Sequence, residues 1–95
     1  MVDFAASIAA EVIKRADVDP SKIGQVVMGN VINTDPRDMY LSRYAAVIGG
    51  IPIETPAYTL NRLCCSGLQA IVCAAQSILR GDTDIALGGG AESMS

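Results

Sequence analysis

Residues 57–90, AYTLNRLCCSGLQAIVCAAQSILRGDTDIALGGG, carry the pattern from which the architecture of this chain is predicted. The first part, 57–63, is typical of a β-strand, and apolar residues then recur at helical spacing. Gly81 stands where a left-handed residue ends a helix, and a turn leads into a last strand, 84–87, that ends in three glycines. A strand, a helix and a strand with short connections predict parallel pairing and a right-handed crossover. The predicted helical stripe consists of Leu68, Ile71, Val72, Ala75, Ile78 and Leu79.

The residues before this stretch repeat the same alternation. A first helix is predicted with Asp3 as its N-cap, and residues 25–32 form the continuous apolar run of a strand that is covered on both faces. A second helix extends through about Val47, and Gly49 and Gly50 end it. The order α-β-α-β-α-β predicts a doubly wound α/β unit with a parallel sheet. The apolar positions are Ala5, Ile8, Ala9, Val12, Ile13 and Ala16 in the first helix, and Leu41, Tyr44, Ala45 and Ile48 in the second.

Length and composition indicate that this chain needs a further surface to cover its apolar residues. It has 95 residues, which suffices for one small domain or part of a larger one. Hydrophobic residues make up 51% and aromatic residues only 4%, so the core must be built from Ala, Val, Ile and Leu. A chain this small and apolar does not easily bury all of that surface alone. We therefore expect the rest of a longer chain, or a second subunit, to cover it.

Charge and cysteine usage exclude several classes of function. The net charge is −3, and no basic run offers a phosphate-binding patch, which argues against nucleic acid as a partner. No apolar segment is long enough to span a membrane, and the N-terminus lacks the features of a secretory signal. Three cysteines, two of them adjacent, make a poor disulfide framework and indicate a reducing, cytoplasmic compartment. Because there is no His, we expect no zinc or other metal site.

Cys64 is the candidate catalytic residue, because it lies where the predicted strand meets the predicted third helix. The first free N–H groups of a helix carry the positive end of its dipole, which favours thiolate over thiol. A thiolate there is a good nucleophile, and the same N–H groups can hold a developing oxyanion. The alternative is a small thiol buried in a packed junction. Ser66 and Gly67, which let a substrate approach closely, favour the nucleophile.

Other residues of this region favour structural interpretations. We expect Cys65 to be structural or incidental and Cys73 to serve in packing. The glycines 88–90 resemble a phosphate loop only superficially, since no Lys follows them, and a close-packing strand end is favoured. The carboxylates in this part of the chain receive no catalytic or metal-binding role, and Arg37 with Asp38 is predicted to be a surface or interface pair. The carboxylates in question are Asp82, Asp84 and Glu92.

Two separated motifs carry a resemblance to a known family. Residues 61–70, NRLCCSGLQA, followed by GDTD at 81–84 and GGGAESMS at 88–95, closely resemble the N-terminal half of thiolases. Within that family the sequence is most similar to acetyl-CoA acetyltransferases and β-ketothiolases, a likeness that GNV at 29–31 and PRDMY at 36–40 share. The resemblance implies a three-layer α/β/α fold. Residues 1–95 would then form a partial N-terminal domain that lacks the opening strand and the whole C-terminal half.

The resemblance also implies a reaction. Cys64 would be acylated by an acyl-CoA, and its backbone N–H would help to form an oxyanion hole. A second acyl-CoA would be condensed onto the acyl group, or in reverse a β-ketoacyl-CoA would be cleaved by CoA. No metal and no cofactor beyond the CoA of the substrates is implied, and the residues that bind CoA are not assigned. Thiolases are usually dimers or tetramers, so a homo-oligomer is expected.

The chain departs from the family pattern in two ways. The residue after the nucleophile is Cys65 where the family commonly has Gly, which would strain the backbone if that position required a positive φ. The family also needs a His base, an Asn-containing loop and a second catalytic Cys, and this chain has no His, while Cys73 matches no catalytic motif. Beside the acyltransferase, a second hypothesis is therefore that the chain is an inert folding or dimerisation fragment. A third hypothesis is a redox module that uses Cys64 and Cys65.

Overall fold

The structure is a computed structural model, and it describes residues 2–92. The predicted alternation of helices and strands is confirmed within these residues. Two 3-10 turns, Pro20–Lys22 and Pro36–Tyr40, precede the first strand and the second helix. In chain order the elements are α1 (Val2–Ala16), β1 (Gln25–Gly29), α2 (Leu41–Ile48), β2 (Ala57–Leu60), α3 (Ser66–Leu79) and β3 (Ala86–Gly90).

The three strands form one parallel sheet in the order β2-β1-β3, so the first strand is central. Val26 lies opposite Ala57 on one side and Leu87 on the other. Helices α1 and α2 cover one face of the sheet, where Val26 belongs to the same core as Leu41. Helix α3 covers the opposite face, where it packs on Val27. The α/β class and the parallel pairing are therefore confirmed.

Two strands are shorter than predicted, because side chains compete for their backbone amides. The run 25–32 leaves the sheet after Gly29, and the N–H groups of Val31 and Ile32 donate to the Glu92 carboxylate instead of to a strand. The run 57–63 ends at Leu60, and the N–H of Leu63 donates to the side chain of Asn61. These polar side chains end each strand where it reaches the candidate site.

The predicted apolar stripe of α3 lies on the exposed side of the helix and not on the side that packs against the sheet. Its large side chains are exposed, for example Leu68 at 67% and Leu79 at 84% of their surface. The reason lies in the glycines of β3: a Cβ built on Gly88 would stand 3.1 Å from the carbonyl oxygen of Ala70 and from the Cα of Ile71. Only a face of small residues can approach a strand so closely. The buried face is Ser66, Ala70, Ala74 and Ser77.

The first two helices follow their predicted stripes only in part. In α1, Ile8 and Val12 are exposed although Ala5, Ala9 and Ile13 are buried, and Asp3 lies within the first helical turn rather than at the N-cap. In α2, the exposed members of the predicted face are Tyr44 and Ile48. None of the helices within residues 2–92 has the length and apolarity needed to cross a bilayer.

We expect the isolated 95-residue chain to aggregate or to remain molten. Its third helix exposes a continuous apolar surface, and the outer edges of β2 and β3 pair with no other described strand. Unpaired edges and large apolar patches both promote association. Replacement of Ile78 and Leu79 by Glu should reduce the association measured by sedimentation. A sharp thermal transition of a monomeric wild-type chain would contradict this expectation.

The pair predicted between Arg37 and Asp38 does not form. Asp38 is fully buried, and its carboxylate accepts from the N–H of Asp35 at 3.2 Å and from the hydroxyl of Thr34 at 3.3 Å. Arg37 instead lies with its Nε 3.5 Å from the carboxylate of Asp35. The difference arises because Asp35 is the N-cap of this turn and Asp38 closes the capping box.

Two N-cap carboxylates predict how stability depends on pH. The N–H of Arg37 donates to Asp35, and the N–H and hydroxyl of Ser21 donate to Asp19, and these bonds hold the pKa of each carboxyl below its ordinary value. A carboxyl whose pKa is lowered by folding stabilises the fold at pH values above its unfolded pKa of about 3.9, and this stabilisation is lost as the pH falls through the folded-state pKa. We therefore expect the urea concentration at the unfolding midpoint of the full-length protein to decrease as the pH is lowered from about 3.9 through the folded-state pKa values.

The Asp35→Asn variant tests this pH dependence, because it keeps the capping acceptor and removes the charge. Its midpoint should depend less on pH than that of the wild type. Asp84→Asn, at an exposed carboxylate outside any cap, is the matched control. Equal acid sensitivity in wild type and Asp35→Asn would contradict the assignment.

Candidate active site

Cys64 lies on the turn between β2 and α3, and its side chain is exposed. The next residue, Cys65, is the N-cap, and α3 begins at Ser66. The alternative of a thiol buried in a packed junction is therefore wrong. The exposure follows from the length of this connection, since β2 ends at Leu60 and leaves the thiol beyond the edge of the sheet.

The backbone of this turn is left-handed at Leu63, where φ is +52°. For a residue with a Cβ this conformation costs about 1–2 kcal/mol. The concern raised by Cys65 does not apply, because its φ is −99° and an ordinary side chain fits there. The unusual position is therefore one residue before the candidate nucleophile and not one after it.

Ser66 fixes the turn from within. Its hydroxyl donates to the carbonyl of Leu63 at 2.7 Å and accepts from the N–H of Arg62 at 2.7 Å. The same Leu63 carbonyl also accepts from the Ser66 N–H at 3.1 Å. Ser66 is buried, so these bonds are shielded from water. From the sequence Ser66 is expected only as a small residue beside the thiol, and these hydrogen bonds are a further role.

The N-terminus of α3 presents free amides next to Cys64. The first bond of the helix runs from the N–H of Gln69 to the carbonyl of Cys65 at 2.8 Å. Among the residues that the structure describes, the N–H groups of Cys64, Gly67 and Leu68 donate to no acceptor. Gly67 and Leu68 belong to the first turn of α3, whose free N–H groups carry the positive end of the helix dipole, and the Cys64 N–H lies just before it. A negative charge that develops on a molecule at this point would meet donors that are already in place.

An open hollow of about 640 Å³ lies over this turn. Cys64 is on its wall, and the opposite side is formed by the end of β3. Its mouth is open to solvent. The lining residues that flank the thiol are Val31, Leu63, Ser66, Gly67 and Glu92.

Several hydrogen bonds join the end of β3 to the segment that follows β1. The Glu92 carboxylate accepts from the N–H of Val31 at 2.8 Å and from the N–H of Ile32 at 2.9 Å. The side-chain amide of Asn30, which is buried, donates to the carbonyl of Ala91 at 2.8 Å. The structural role expected for Glu92 is confirmed. Sequence reasoning missed Asn30, because its partner lies 61 positions away.

The glycines of this region are required by close packing. The run 88–90 belongs to β3 and not to a phosphate loop, as predicted. Gly29 ends β1 against the start of α3, where a Cβ would lie 2.5 Å from the carbonyl carbon of Ser66. A glycine within an apolar strand pattern is the signal that could have identified this contact.

The remaining candidates have structural environments. Cys73 is half-buried against the core under α3, and its sulfur accepts from the Gln69 side chain at 3.4 Å, which confirms its packing role. The pKa of Tyr58 is raised, mainly by burial and to a smaller extent by a side-chain hydrogen bond to Cys73. Asp82 is exposed and pairs with Arg80 at 2.9 Å. Residues 2–92 contain no group of three His, Cys, Asp or Glu side chains that could hold a metal ion.

The sequence model of the thiolase N-terminal domain matches residues 1–95. The chain belongs to the thiolase family. The resemblance stated from the sequence is thereby confirmed, although Ser93, Met94 and Ser95 of its second motif lie outside the described residues.

Curated thiolase relatives extend well beyond this chain. Beta-ketothiolase BktB of Cupriavidus necator is 62% identical over 93 residues, which is 98% of this chain and 24% of that protein. A probable acetyl-CoA acyltransferase of Staphylococcus epidermidis is 39% identical over 98% of this chain and 23% of its own length. The chain thus spans about a quarter of the relatives that it matches.

Solved thiolase structures share the fold. The acetyl-CoA acetyltransferase of Bacillus anthracis superposes with a TM-score of 0.90 at 34% identity, over 98% of this chain and 23% of its own. Human mitochondrial 3-ketoacyl-CoA thiolase in complex with CoA gives a TM-score of 0.82 at 38% identity, over 86% of this chain and 21% of its own. The arrangement of three helices and three parallel strands is therefore that of the corresponding region in these enzymes.

Proposed function

We propose that the full-length thiolase containing this chain is an acyl-CoA C-acyltransferase that carries its acyl group as a thioester on Cys64. The observation that supports this most directly is the position of the thiol. Cys64 is exposed on the wall of an open hollow and stands beside the unbonded amides at the start of α3. A nucleophile and oxyanion donors at one point are what acyl transfer requires.

In the first step the Cys64 sulfur attacks the thioester carbonyl of an acyl-CoA. The new C–S bond forms, the carbonyl oxygen becomes an oxyanion that the Cys64 N–H stabilises, and the bond to the CoA sulfur then breaks. The acyl group stays on the enzyme and CoA leaves. In the second step the α-carbon of another acyl-CoA loses a proton to a base and attacks the Cys64 thioester, so that a carbon–carbon bond forms and the Cys64 sulfur leaves as a thiolate. Thiolytic cleavage of a β-ketoacyl-CoA is the same sequence in reverse.

The proton transfers of this reaction need groups from outside residues 1–95. The chain contains no His to take the thiol proton, and Cys73 is packed under α3 and not in the hollow. We therefore propose that residues 1–95 are a partial N-terminal domain, without its opening strand, and that the remaining part of the protein supplies the base and a second Cys. CoA and acyl-CoA are the partners, and no other cofactor is proposed.

We further propose a homo-oligomer, a dimer or tetramer, in a reducing cytoplasmic compartment. The apolar outer side of α3, which exposes Leu68 and Leu79, supports burial against further protein. All three cysteines are free, and this state suits a reducing environment.

Mass spectrometry of the acyl-enzyme tests the proposed function. The full-length protein is incubated with acetyl-CoA, quenched in acid and digested, and the peptide that holds Cys64 and Cys65 is fragmented between the two residues. The acetyl group is expected on Cys64, while the peptide that contains Cys73 serves as the internal control. Failure of the acetyl group to appear on Cys64, or its appearance on Cys65 alone, would reject the proposal.

A second candidate concerns the 95-residue chain by itself, which we propose is catalytically inert and acts at most in folding or dimerisation. The absence of any His supports this, because the thiol then has no base. Measurable thiolysis of acetoacetyl-CoA by the isolated chain would contradict it.

A further inference from the structure

We propose that Asn61 and Glu92 are positioning residues for Cys64: together they hold the left-handed backbone of Leu63 and thereby the direction of the thiol. The proposal rests on the proposed function, because it concerns a reaction at Cys64. Neither side chain needs to touch the substrate for this role, since both act through the backbone.

Leu63 requires support from its surroundings. Its φ of +52° is uncommon for a residue with a Cβ, and such a conformation persists only where the structure around it enforces it. Its side chain is 69% exposed, so burial does not hold it in place. Cys64 follows directly in the chain, so relaxation of Leu63 to a negative φ would turn the thiol away from the hollow.

Asn61 supplies the first support. Its Oδ1 accepts from the N–H of Leu63 at 2.9 Å, and its Nδ2 donates to the carbonyl of Val31 at 3.4 Å. A single side-chain amide therefore joins the turn that bears the nucleophile to the segment after β1. Because the Ser66 hydroxyl donates to the carbonyl of Leu63, both the N–H and the carbonyl of Leu63 are hydrogen-bonded.

Glu92 supplies the second support. Its carboxylate accepts from the N–H groups of Val31 and Ile32, so Val31 is held on its N–H by Glu92 and on its carbonyl by Asn61. Hydrogen bonds to a charged acceptor are stronger than neutral ones. A continuous path of hydrogen bonds thus leads from the end of β3 to the residue before the nucleophile.

The left-handed conformation itself provides a discriminating test. Removal of Asn61 takes away the acceptor of the Leu63 N–H, and leucine then relaxes to a negative φ. Glycine adopts positive φ without steric cost, so Leu63→Gly should restore part of the activity that Asn61→Ala loses. A general loss of stability would not be restored in this way, because glycine adds flexibility to the turn.

The experiment uses the full-length protein and measures acetyl transfer from acetyl-CoA to Cys64 together with kcat and KM. Asn61→Ala and Glu92→Gln are each expected to lower kcat by roughly tenfold to a hundredfold with KM nearly unchanged. The double variant Leu63→Gly/Asn61→Ala should recover part of that loss. Asn33→Ala and Glu54→Gln, at exposed residues that make no side-chain hydrogen bond to any described residue, are the matched controls and should keep the wild-type kcat.

The outcomes separate the two proposals. A wild-type protein that is not acylated on Cys64 refutes the proposed function itself. A wild type that is acylated, with Asn61→Ala and Glu92→Gln at wild-type kcat, overturns the positioning role alone. A loss in Asn61→Ala that Leu63→Gly does not restore also overturns it. If Asn61→Ala does not fold, the kcat of Glu92→Gln tests the positioning role, because this substitution preserves the volume of the side chain.

Discussion

Replacement of Cys64 by alanine in the full-length protein is expected to abolish acyl transfer, with a loss in kcat of about a thousandfold or more. The substitution removes the atom that would form the thioester and leaves the turn intact, because the hydrogen bonds that hold it come from the backbone and from the side chains of Asn61 and Ser66. Turnover is measured by release of CoA, and folding is verified by circular dichroism. Transfer at a rate near that of the wild type would show that Cys64 is not the nucleophile.

The neighbouring thiol is the matched control for this experiment. Cys65 is exposed, makes no capping hydrogen bond through its side chain and has a φ of −99°. Glycine is tolerated at an N-cap, so Cys65→Gly should keep most of the activity. A comparable loss in both variants would indicate that the two thiols act together, as the redox alternative requires, and reversible oxidation in a thiol titration would support that alternative.

The second large effect is expected at Gly29. A Cβ at this position would lie 2.5 Å from the carbonyl carbon and 2.6 Å from the carbonyl oxygen of Ser66, and 2.8 Å from the amide nitrogen of Gly67. All three are backbone atoms, so no rotation of a side chain relieves the contact. We expect Gly29→Ala to lower the free energy of unfolding by about 3 kcal/mol and to reduce kcat, because α3 must move away from β1 and carries Cys64 with it.

Gly67→Ala is the matched control for stability. A Cβ at Gly67 would meet its nearest neighbour, the Cα of Gly90, at an ordinary 3.9 Å. Alanine also favours the helix by up to about 1 kcal/mol relative to glycine. Urea denaturation of the two variants should therefore give effects of opposite sign. Equal stability of Gly29→Ala and the wild type would contradict the close contact between β1 and α3.

The order of the elements was predictable from the sequence because its signals are local. Helical spacing, the glycine that ends α3 and the apolar run of β1 each act within a few residues. The same is true of Cys64, whose place at a strand–helix junction follows from residues 57–70 alone. That locality explains why the fold class and the candidate nucleophile could both be inferred before any contact was known.

The orientation of α3 was not predictable in the same way. Periodicity identifies an apolar side, and it predicts that the large residues Leu68 and Leu79 face the core. The buried side is instead selected by Gly88, a residue of another element, because its missing side chain admits only Ala70 and its small neighbours. Information of this kind resides in the pairing of two segments and in neither segment alone.

The hydrogen bonds of Glu92 and Asn61 that support the site were not predictable from the sequence for a related reason. Glu92 bonds to residues 60 and 61 positions earlier, and Asn61 bonds to Val31, 30 positions earlier. No spacing rule connects such residues. Only the parallel sheet brings the ends of β1, β2 and β3 to one edge, where their side chains can meet.

The two unlike sides of α3 also set how this region can change in evolution. Single substitutions on its outward side leave the contact with β3 untouched, provided that whatever covers that side adapts. Deletion of one residue within the helix is a different event, because it rotates everything beyond it by about 100°. Leucine and isoleucine would then be turned toward the glycines and alanine toward the outside. We therefore expect a deletion within this helix to be more disruptive than a substitution on its outward side.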